Sequence, residues 1–351
     1  MDKLSLHPSF RLNGNRFSNT MELLQYVERS LPEVHPFLKT WFDGTEVLKV
    51  QTSGSTGKPK IISLQKRAML ESVLATGTFF NLKARTTALL CMSTDFIAGK
   101  MMLLRALHLG WDMDVVEVQS NPLALTEKHY DFGAMIPLQA HHSFEKLHRI
   151  DQLIIGGGVI SEKLLEKIKT LPTKVFATYG MTETITHIAA KRLNGIGDQY
   201  YKTLPNIELF LDSRDCLQIK APMLSEDIIV TNDLVFLIDA HTFKWLGRYD
   251  SVINSGGIKL IPEQLELKLS GLISERFFIA SEPDDLLGNR VILVLETKAR
   301  LTADYTSNLL VQIRASNLLS KFEIPKKVYS IFQFVETPTQ KINRKASMLL
   351  L

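Results

Sequence analysis

Residues 52–60, Thr52-Ser53-Gly54-Ser55-Thr56-Gly57-Lys58-Pro59-Lys60, gather glycines, hydroxyls and lysines into one run. That composition suits phosphate. Glycine lets backbone N–H groups approach an anion closely, hydroxyls add donors, and a lysine supplies a mobile positive charge. The nucleotide-binding pattern Gly-x-x-x-x-Gly-Lys-Ser/Thr is excluded, because Thr52 stands at its first glycine and Pro59 follows Lys58. A flexible Gly/Ser linker would normally lack the lysines and the preceding aliphatic stretch, Glu46 to Val50. That stretch reads as a strand, and a helix-like segment is expected from about Ser63.

Four further segments carry chemical potential. Tyr179-Gly180-Met181-Thr182-Glu183-Thr184 packs an aromatic, a glycine, hydroxyls and a carboxylate together. Glu183 suits magnesium, a hard cation that takes oxygen ligands and bridges to nucleotide phosphates; alone, the segment reads first as a strand-to-loop turn with a solvated glutamate. Gly156-Gly157-Gly158 follows Leu153 to Ile155 and precedes a helix capped by Ser161. A flat ring can lie against such backbone, and a tight βα turn accounts for it as well; the Gly-x-Gly-x-x-Gly fingerprint fails because Ser161 stands at its last glycine. Gly247-Arg248-Tyr249-Asp250, with Ser255-Gly256-Gly257 after it, reads as a hinge or a polar linker. Lys341 lies in the turn-like run Thr337 to Arg344 and by itself reads as a surface lysine.

The elements that must position these residues alternate. Strands are predicted over 87–92, 113–118, 132–136, 153–155 and 174–178, and helices over 65–80, 99–109, 138–147 and 161–169. This is the pattern of a parallel sheet with crossover helices. After Gly180, short strands over 208–211, 217–220, 227–230 and 235–238 read as a smaller β-rich subdomain. A small α+β unit follows from about residue 250, with helices over 262–272 and 302–319 and a strand over 290–297.

The 351 residues allow about two domains and an ample core. Hydrophobic residues make up 45% and charged residues 22%, which argues against disorder. The 41 basic residues are dispersed and the net charge is only +4, so nucleic acid is not indicated. Two cysteines cannot build a zinc site alone. With neither a secretory signal pattern nor an 18-residue apolar run, the chain is expected in the cytoplasm with no membrane span. Its oligomeric state is not legible.

Taken together, in this order and spacing, the segments resemble the adenylate-forming superfamily of acyl-CoA synthetases, peptide-synthetase adenylation domains and luciferases. Four motifs match: the loop at 52–60, Tyr-Gly-x-Thr-Glu at 179–183, Gly-Arg-x-Asp at 247–250 and the lysine motif around Lys341. The resemblance implies that family's α/β fold, with a large N-terminal adenylation domain over 1–248, shortened at its start, and a small mobile C-terminal α+β domain over 249–351. It also implies the cofactors ATP and magnesium, with coenzyme A as co-substrate.

Residue roles follow from the resemblance. Thr52, Ser53, Gly54, Ser55, Thr56, Gly57 and Lys58 would hold the β- and γ-phosphates. Gly157 and Gly180 would lie in the nucleotide and acyl site, Tyr179 would stack on adenine, Thr182 would contact phosphate and Glu183 would ligate magnesium. Asp233 would bind the ribose hydroxyls with help from Arg248, and Asp250 would be the hinge. Lys341 would bind the carboxylate and α-phosphate, while Gly256 and Gly257 would face the pantetheine arm. The implied reaction joins a carboxylic acid to AMP and then passes the acyl group to a thiol.

Three departures from the family pattern stand out. About 50 residues precede the phosphate loop, fewer than is usual; Gln340 replaces the glycine before the lysine, although Arg344 is kept; and Phe96 occupies an acyl-pocket position. The segment Phe96 to Arg105 also resembles the corresponding region of o-succinylbenzoate-CoA ligases of menaquinone biosynthesis. Their substrate keeps one carboxylate after activation, which requires a cation, and Lys100 and Arg105 are the candidates. Alternatives are another aryl or acyl acid, delivery to a carrier-protein thiol, or a nucleotide-binding protein without activity.

Overall fold

The computed structural model describes residues 5–51, 61–195, 200–298, 301–337 and 342–351. The phosphate-loop candidates Thr52 to Lys58 and the candidate lysine Lys341 lie outside them. Along the chain run β1 (Arg11–Leu12), α1 (Thr20–Ser30), α2 (His35–Trp41), β2 (Val47–Gln51), β3 (Ile61–Gln65), α3 (Lys66–Phe79), β4 (Thr87–Leu90) and α4 (Ile97–Leu109). Then come β5 (Asp112–Val115), β6 (Tyr130–Met135), α5 (Pro137–His142), β7 (Ile150–Ile155), α6 (Glu162–Ile168), β8 (Lys174–Gly180), β9 (His187–Arg192) and β10 (Tyr201–Thr203). Next are β11 (Glu208–Leu211), β12 (Cys216–Lys220), β13 (Ile229–Asp239), β14 (Thr242–Arg248), β15 (Ile253–Ser255) and β16 (Ile258–Leu260). The chain ends with α7 (Pro262–Leu269), β17 (Phe277–Asp284), β18 (Gly288–Glu296), α8 (Ala303–Ala315), β19 (Lys327–Ile331) and α9 (Arg344–Met348).

Among the described residues, twelve strands form one sheet in the order β1-β5-β4-β6-β7-β8-β9-β10-β14-β13-β12-β11. From β1 to β8 the neighbours are parallel, and from β8 onward they are antiparallel. The parallel strands are apolar runs because helices cover the sheet, as in Leu153, Ile154 and Ile155, all buried. Ser161 caps α6 by accepting from Leu164 N at 3.3 Å.

Two expectations change. The residues expected to begin a helix near Ser63 instead form β3, which pairs antiparallel with β2, so 52–60 joins the two strands of a hairpin and the helix starts at Lys66. Alternation of exposed and buried residues across 61–65 favours the strand. The β-rich stretch is not a separate sheet. It extends the main one, and the strands expected over 227–230 and 235–238 are a single strand, β13, with an irregularity between Leu234 and Val235. The polar residues Thr231 to Asp233, which read as a turn dividing the two expected strands, lie within β13 instead.

Residues from Ile253 onward carry their own cores on either side of a three-stranded sheet, β17-β18-β19. Leu265, Leu269, Leu293 and Ile313 lie in one core and Phe278, Val294 and Phe334 in the other.

Lys66 fixes the hairpin to the helices before it. Its buried ammonium donates to Thr40 O and Trp41 O at 2.8 Å and to Asp43 Oδ1 at 2.9 Å. Hydrogen bonds from Thr45, then Lys66, hold the Asp43 carboxyl down at about 2, below its ordinary 3.8. A lowered carboxyl stabilises the fold above the ordinary value and loses that contribution as pH falls through the folded one. Lys66→Met is expected to strand the Trp41 carbonyl, cost about 2 kcal/mol in urea unfolding, and flatten the fall in stability between pH 4 and pH 2. An unchanged acid limb would remove this role for Lys66.

Candidate active site

Loops at the carboxyl ends of adjacent parallel strands gather the expected residues. Phe96 follows β4, Gly157 follows β7, and Thr182 and Glu183 follow β8, which itself ends on Tyr179 and Gly180. Ligands of open α/β sheets bind outside these ends. Close packing there requires glycine: a Cβ at Gly156 would stand 2.4 Å from Thr178 Oγ1, and one at Gly180 would stand 2.2 Å from Thr186 O. Gly157 has φ +81°, the left-handed region. A cleft of about 410 Å³ lined by Asn81, Arg85, Asp131 and Asp151 sits at the opposite, amino-terminal edge of these strands and gathers none of the expected residues.

The turn after β8 is closed by one hydroxyl. Met181 N donates to Thr184 Oγ1 at 3.0 Å, and that oxygen lies 3.0 Å from Met181 O and 2.8 Å from Thr186 O. Ile185 N donates to Thr182 O at 2.9 Å. Ile185 has φ +68°, unfavourable for a β-branched residue by about 1–2 kcal/mol, and is held there by burial at 2% exposure. The result presents Glu183 outward, exposed and without a hydrogen bond or ion pair among the described residues. Thr182 is half-buried beside it.

Asp233, in the middle of β13, is a buried carboxylate shared by three donors. Tyr179 Oη donates at 2.6 Å to Oδ2, Trp245 Nε1 at 3.2 Å to Oδ1, and Arg248 Nη1 at 3.5 Å to Oδ1. Thr231 Oγ1 accepts from the Asp233 amide at 3.0 Å. Burial, then the charge of Asp233, pushes the Tyr179 phenol well above its ordinary value. Arg248 also reaches Asp250 at 3.2 Å, and Asn232 Nδ2 lies 3.3 Å from both oxygens of Asp250.

Several members of this group were not legible as site residues. Trp245 completes the shell of Asp233. Arg214 bonds Asp212 at 2.7 Å, Asn232 at 2.9 Å and Thr231 O at 3.2 Å, and its guanidinium sits 5.1 Å from the Tyr249 ring centre. In the sequence an arginine beside two aspartates is an ordinary turn. Only the pairing of β12 with β13 brings Arg214 against Asn232.

Helix α4 carries the other expected residues at its two ends. Gly99 admits no side chain, since a Cβ would stand 2.2 Å from Ser93 O. Phe96 is half exposed. The Lys100 ammonium donates to Thr94 O and, at 2.8 Å, to Asp95 O, and lies 5.5 Å from the Phe37 ring centre; burial lowers its affinity for the proton. Arg105, nine residues and about 14 Å along the helix from Phe96, is 1% exposed and reaches Thr186 Oγ1 at 3.5 Å. Its Nε has no partner among the described residues, and burial alone pulls the group down to about 9. His187 beside it is held well below its ordinary value by burial and then by the Arg105 charge. Gly256 and Gly257, both at positive φ, form the turn between β15 and β16, and a Cβ on Gly257 would meet open space.

The fold is that of the adenylate-forming enzymes. Residues 47–212 match the AMP-binding enzyme family, and 34% identity to an AMP-forming acyl-CoA synthetase/AMP-acid ligase II-like protein from Dyadobacter fermentans spans 92% of this chain and 95% of that one, with a TM-score of 0.60. The chain belongs to that family of AMP-binding enzymes. The 2-succinylbenzoate–CoA ligase of Escherichia coli is 24% identical over 70% of this chain and 57% of its own length. That of Lactococcus lactis is 22% identical over 84% of this chain and 69% of its own length. The chain thus spans just over half the length of the first of these relatives. The o-succinylbenzoate coenzyme A synthetase of Bacillus subtilis, in complex with ATP and magnesium ion, shares the fold with a TM-score of 0.71 at 18% identity, over 86% of this chain and 69% of that one.

Thr184→Val keeps the shape of the side chain and deletes the hydroxyl that closes the Met181–Thr186 turn. It is expected to cost about 1–3 kcal/mol in urea unfolding and to raise hydrogen exchange at the Met181 and Ile185 amides. Unaltered exchange at Met181 would show that the turn is held by Ile185 packing instead.

Proposed function

We propose that the protein is an ATP-dependent acid–thiol ligase that forms an acyl-adenylate and passes the acyl group to coenzyme A, with o-succinylbenzoate as the acid. The observation that carries the reading is the buried Asp233 carboxylate with Tyr179 and Arg248 on it, together with the exposed Glu183 four residues after Tyr179. Asp233 is the acceptor for the ribose hydroxyls, Arg248 assists it, and Tyr179 offers its ring to adenine. Lys341 and the loop Thr52 to Lys58 supply the positive charge and donors for the phosphates and the acid.

A single exposed carboxylate fits magnesium, which keeps most of its waters and takes one or two protein carboxylates beside phosphate oxygens. Glu183 would hold it, and the ion would neutralise phosphate charge. Lys341 stabilises the charge that grows on the α-phosphate as the acid oxygen attacks. Pyrophosphate leaves, and the thiol then displaces AMP from the acyl carbon.

The acid is assigned from the curated relatives named 2-succinylbenzoate–CoA ligase and from Arg105, a buried guanidinium without a carboxylate partner among the described residues. A cation so placed suits an acid that retains a second carboxylate. We place the domain boundary at 248/249, with Asp250 as the hinge, and the protein in the cytoplasm; among the described residues no helix is long and apolar enough to cross a membrane.

Acid-dependent ATP–pyrophosphate exchange against a panel of carboxylic acids including o-succinylbenzoate tests the reading, and absence of exchange with every acid would overturn it. Asp233→Ala is expected to raise the KM for ATP by about tenfold or more, from the loss of a buried charge-assisted contact. Lys341→Ala should abolish adenylate formation while leaving transfer from supplied acyl-adenylate to coenzyme A largely intact. Equal loss of both half-reactions would remove its assigned role.

A further inference from the structure

The Gly-Arg-x-Asp segment and the C-terminal lysine motif are 94 residues apart, from Gly247 to Lys341. One cluster of charged side chains joins their neighbourhoods. Arg344, three residues beyond Lys341, donates from Nη2 to Glu266 Oε2 at 2.8 Å and lies 3.5 Å from Glu263 Oε1. Both glutamates are on α7. The same guanidinium reaches Ile279 O at 3.5 Å, while the Ile279 amide donates to Glu266 Oε1 at 2.7 Å.

The cluster is built inward. Side-chain exposures are 11% for Glu263 and 20% for Glu266, and Glu263 Oε2 is buried without a partner among the described residues. That oxygen rests against the glycine of the Gly-Arg-x-Asp segment, because a Cβ at Gly247 would stand 2.6 Å from it and 2.5 Å from Ile261 Cγ2. Gln264 adds a bond from its amide nitrogen to Leu246 O. Burial pushes the Glu266 carboxyl up to about 7, against the pull of Arg344 and the Ile279 amide and with the repulsion of Glu263 added. Such groups would not be buried together without the guanidinium between them.

On the other side of Arg344 the chain is tied down as well. Asn343 N donates to Val335 O at 2.8 Å, Val335 N donates to Ser347 Oγ at 3.0 Å, and Glu336 bridges Ile342 in antiparallel fashion. These bonds draw together the ends of the segment that contains Lys341. Arg344 begins α9, capped by Asn343 Oδ1 on Ala346 N at 3.1 Å.

We propose that Arg344 is a positioning residue: its clamp on Glu263 and Glu266 seats the base of the Lys341 segment on α7 and, through Glu263, against Gly247. The clamp fixes Ile342 to Ser347, the described stretch from which the chain leads back to Lys341. It touches neither substrate nor nucleotide. This inference rests on the acid-activating reading above for its kinetic consequence, and on geometry alone for its structural one.

Arg344→Met is expected to lower acid-dependent ATP–pyrophosphate exchange about a hundredfold, as misplacement of a catalytic group by about 1 Å does. Transfer from supplied acyl-adenylate to coenzyme A should change by less than about threefold, and Arg344→Lys should recover part of the exchange. A parallel loss of both half-reactions, or Arg344→Lys no better than Arg344→Met, overturns the proposal. Because Arg344→Met strands two carboxylates, the Glu266→Gln/Arg344→Met double variant is examined by hydrogen exchange. Protection at the Val335 and Asn343 amides should fall while that at Val291 and Leu293 persists, and unchanged protection at Val335 and Asn343 overturns the clamp. Wild-type protein giving no exchange with any acid would overturn the acid-activating reading while leaving the hydrogen-exchange result to decide the clamp.

Discussion

A carboxylate buried in the middle of a strand must be surrounded by donors, and Asp233 imposes that requirement on the rest of the site. Leaving it unpaired would cost several kcal/mol. Its donors come from β8 and β14, whose strands flank β9 and β10 in the sheet, so the carboxylate ties β13 to the last parallel strand across them. The parallel half delivers Tyr179 at a carboxyl end, and the antiparallel half delivers Trp245 and Arg248. Neither half makes the site alone. The indole and guanidinium contacts, at 3.2 and 3.5 Å, are the longer of the three bonds, and the 2.6 Å bond from Tyr179 is the shortest.

Behind this arrangement lies a second buried charge of opposite sign. Arg105 joins α4 to the turn that carries Glu183, through Thr186, and its charge helps keep His187 neutral. His187 in turn packs edge-on to Phe80 at 6.1 Å and lies 3.4 Å from Thr76 on α3. Strain at Ile185 therefore sits two residues from Glu183, and an incompletely paired guanidinium contacts Thr186, three residues from it. Such local costs survive only where the surrounding packing enforces them, and they concentrate at functional sites.

Much of this was legible in the sequence because central parallel strands such as β4 and β7 carry buried apolar runs, with Ser161 and Thr302 marking helix starts that the structure bears out. Turn-like composition misled where Thr231 to Asp233 lie inside β13 and where β17, Phe277 to Asp284, ends in charged and proline residues that mimic a loop. The hairpin β2–β3 was hidden because its second strand is half exposed and leads without a turn into α3. Among site residues, motif spacing pointed to Tyr179, Asp233 and Arg248. It offered nothing for Trp245, Arg214 or Thr231, whose relevance comes from cross-strand register, a property no local pattern encodes.

Register also shows what a rotation about residues 249–251 would break. Arg248 closes β14 paired to Asp233, and β15 opens at Ile253, already in the next core. The contacts across the intervening turn are long and wet: Arg248 to Asp250 at 3.2 Å and Asn232 to Asp250 at 3.3 Å, with the aspartate 46% exposed. Exposed pairs of this kind contribute about 0–1 kcal/mol. The charges on either side are buried instead, Asp233 before the turn and Glu263 with Glu266 after it. A rotation at 249–251 would therefore give up the weak contacts of Asp250 first. What resists it is the fit of Ile261 and Glu263 against Gly247, where the absence of a side chain lets α7 approach β14. A larger residue at 247 would keep the two apart, so the glycine is required by the closed packing of this conformation as much as by any flexibility of the turn.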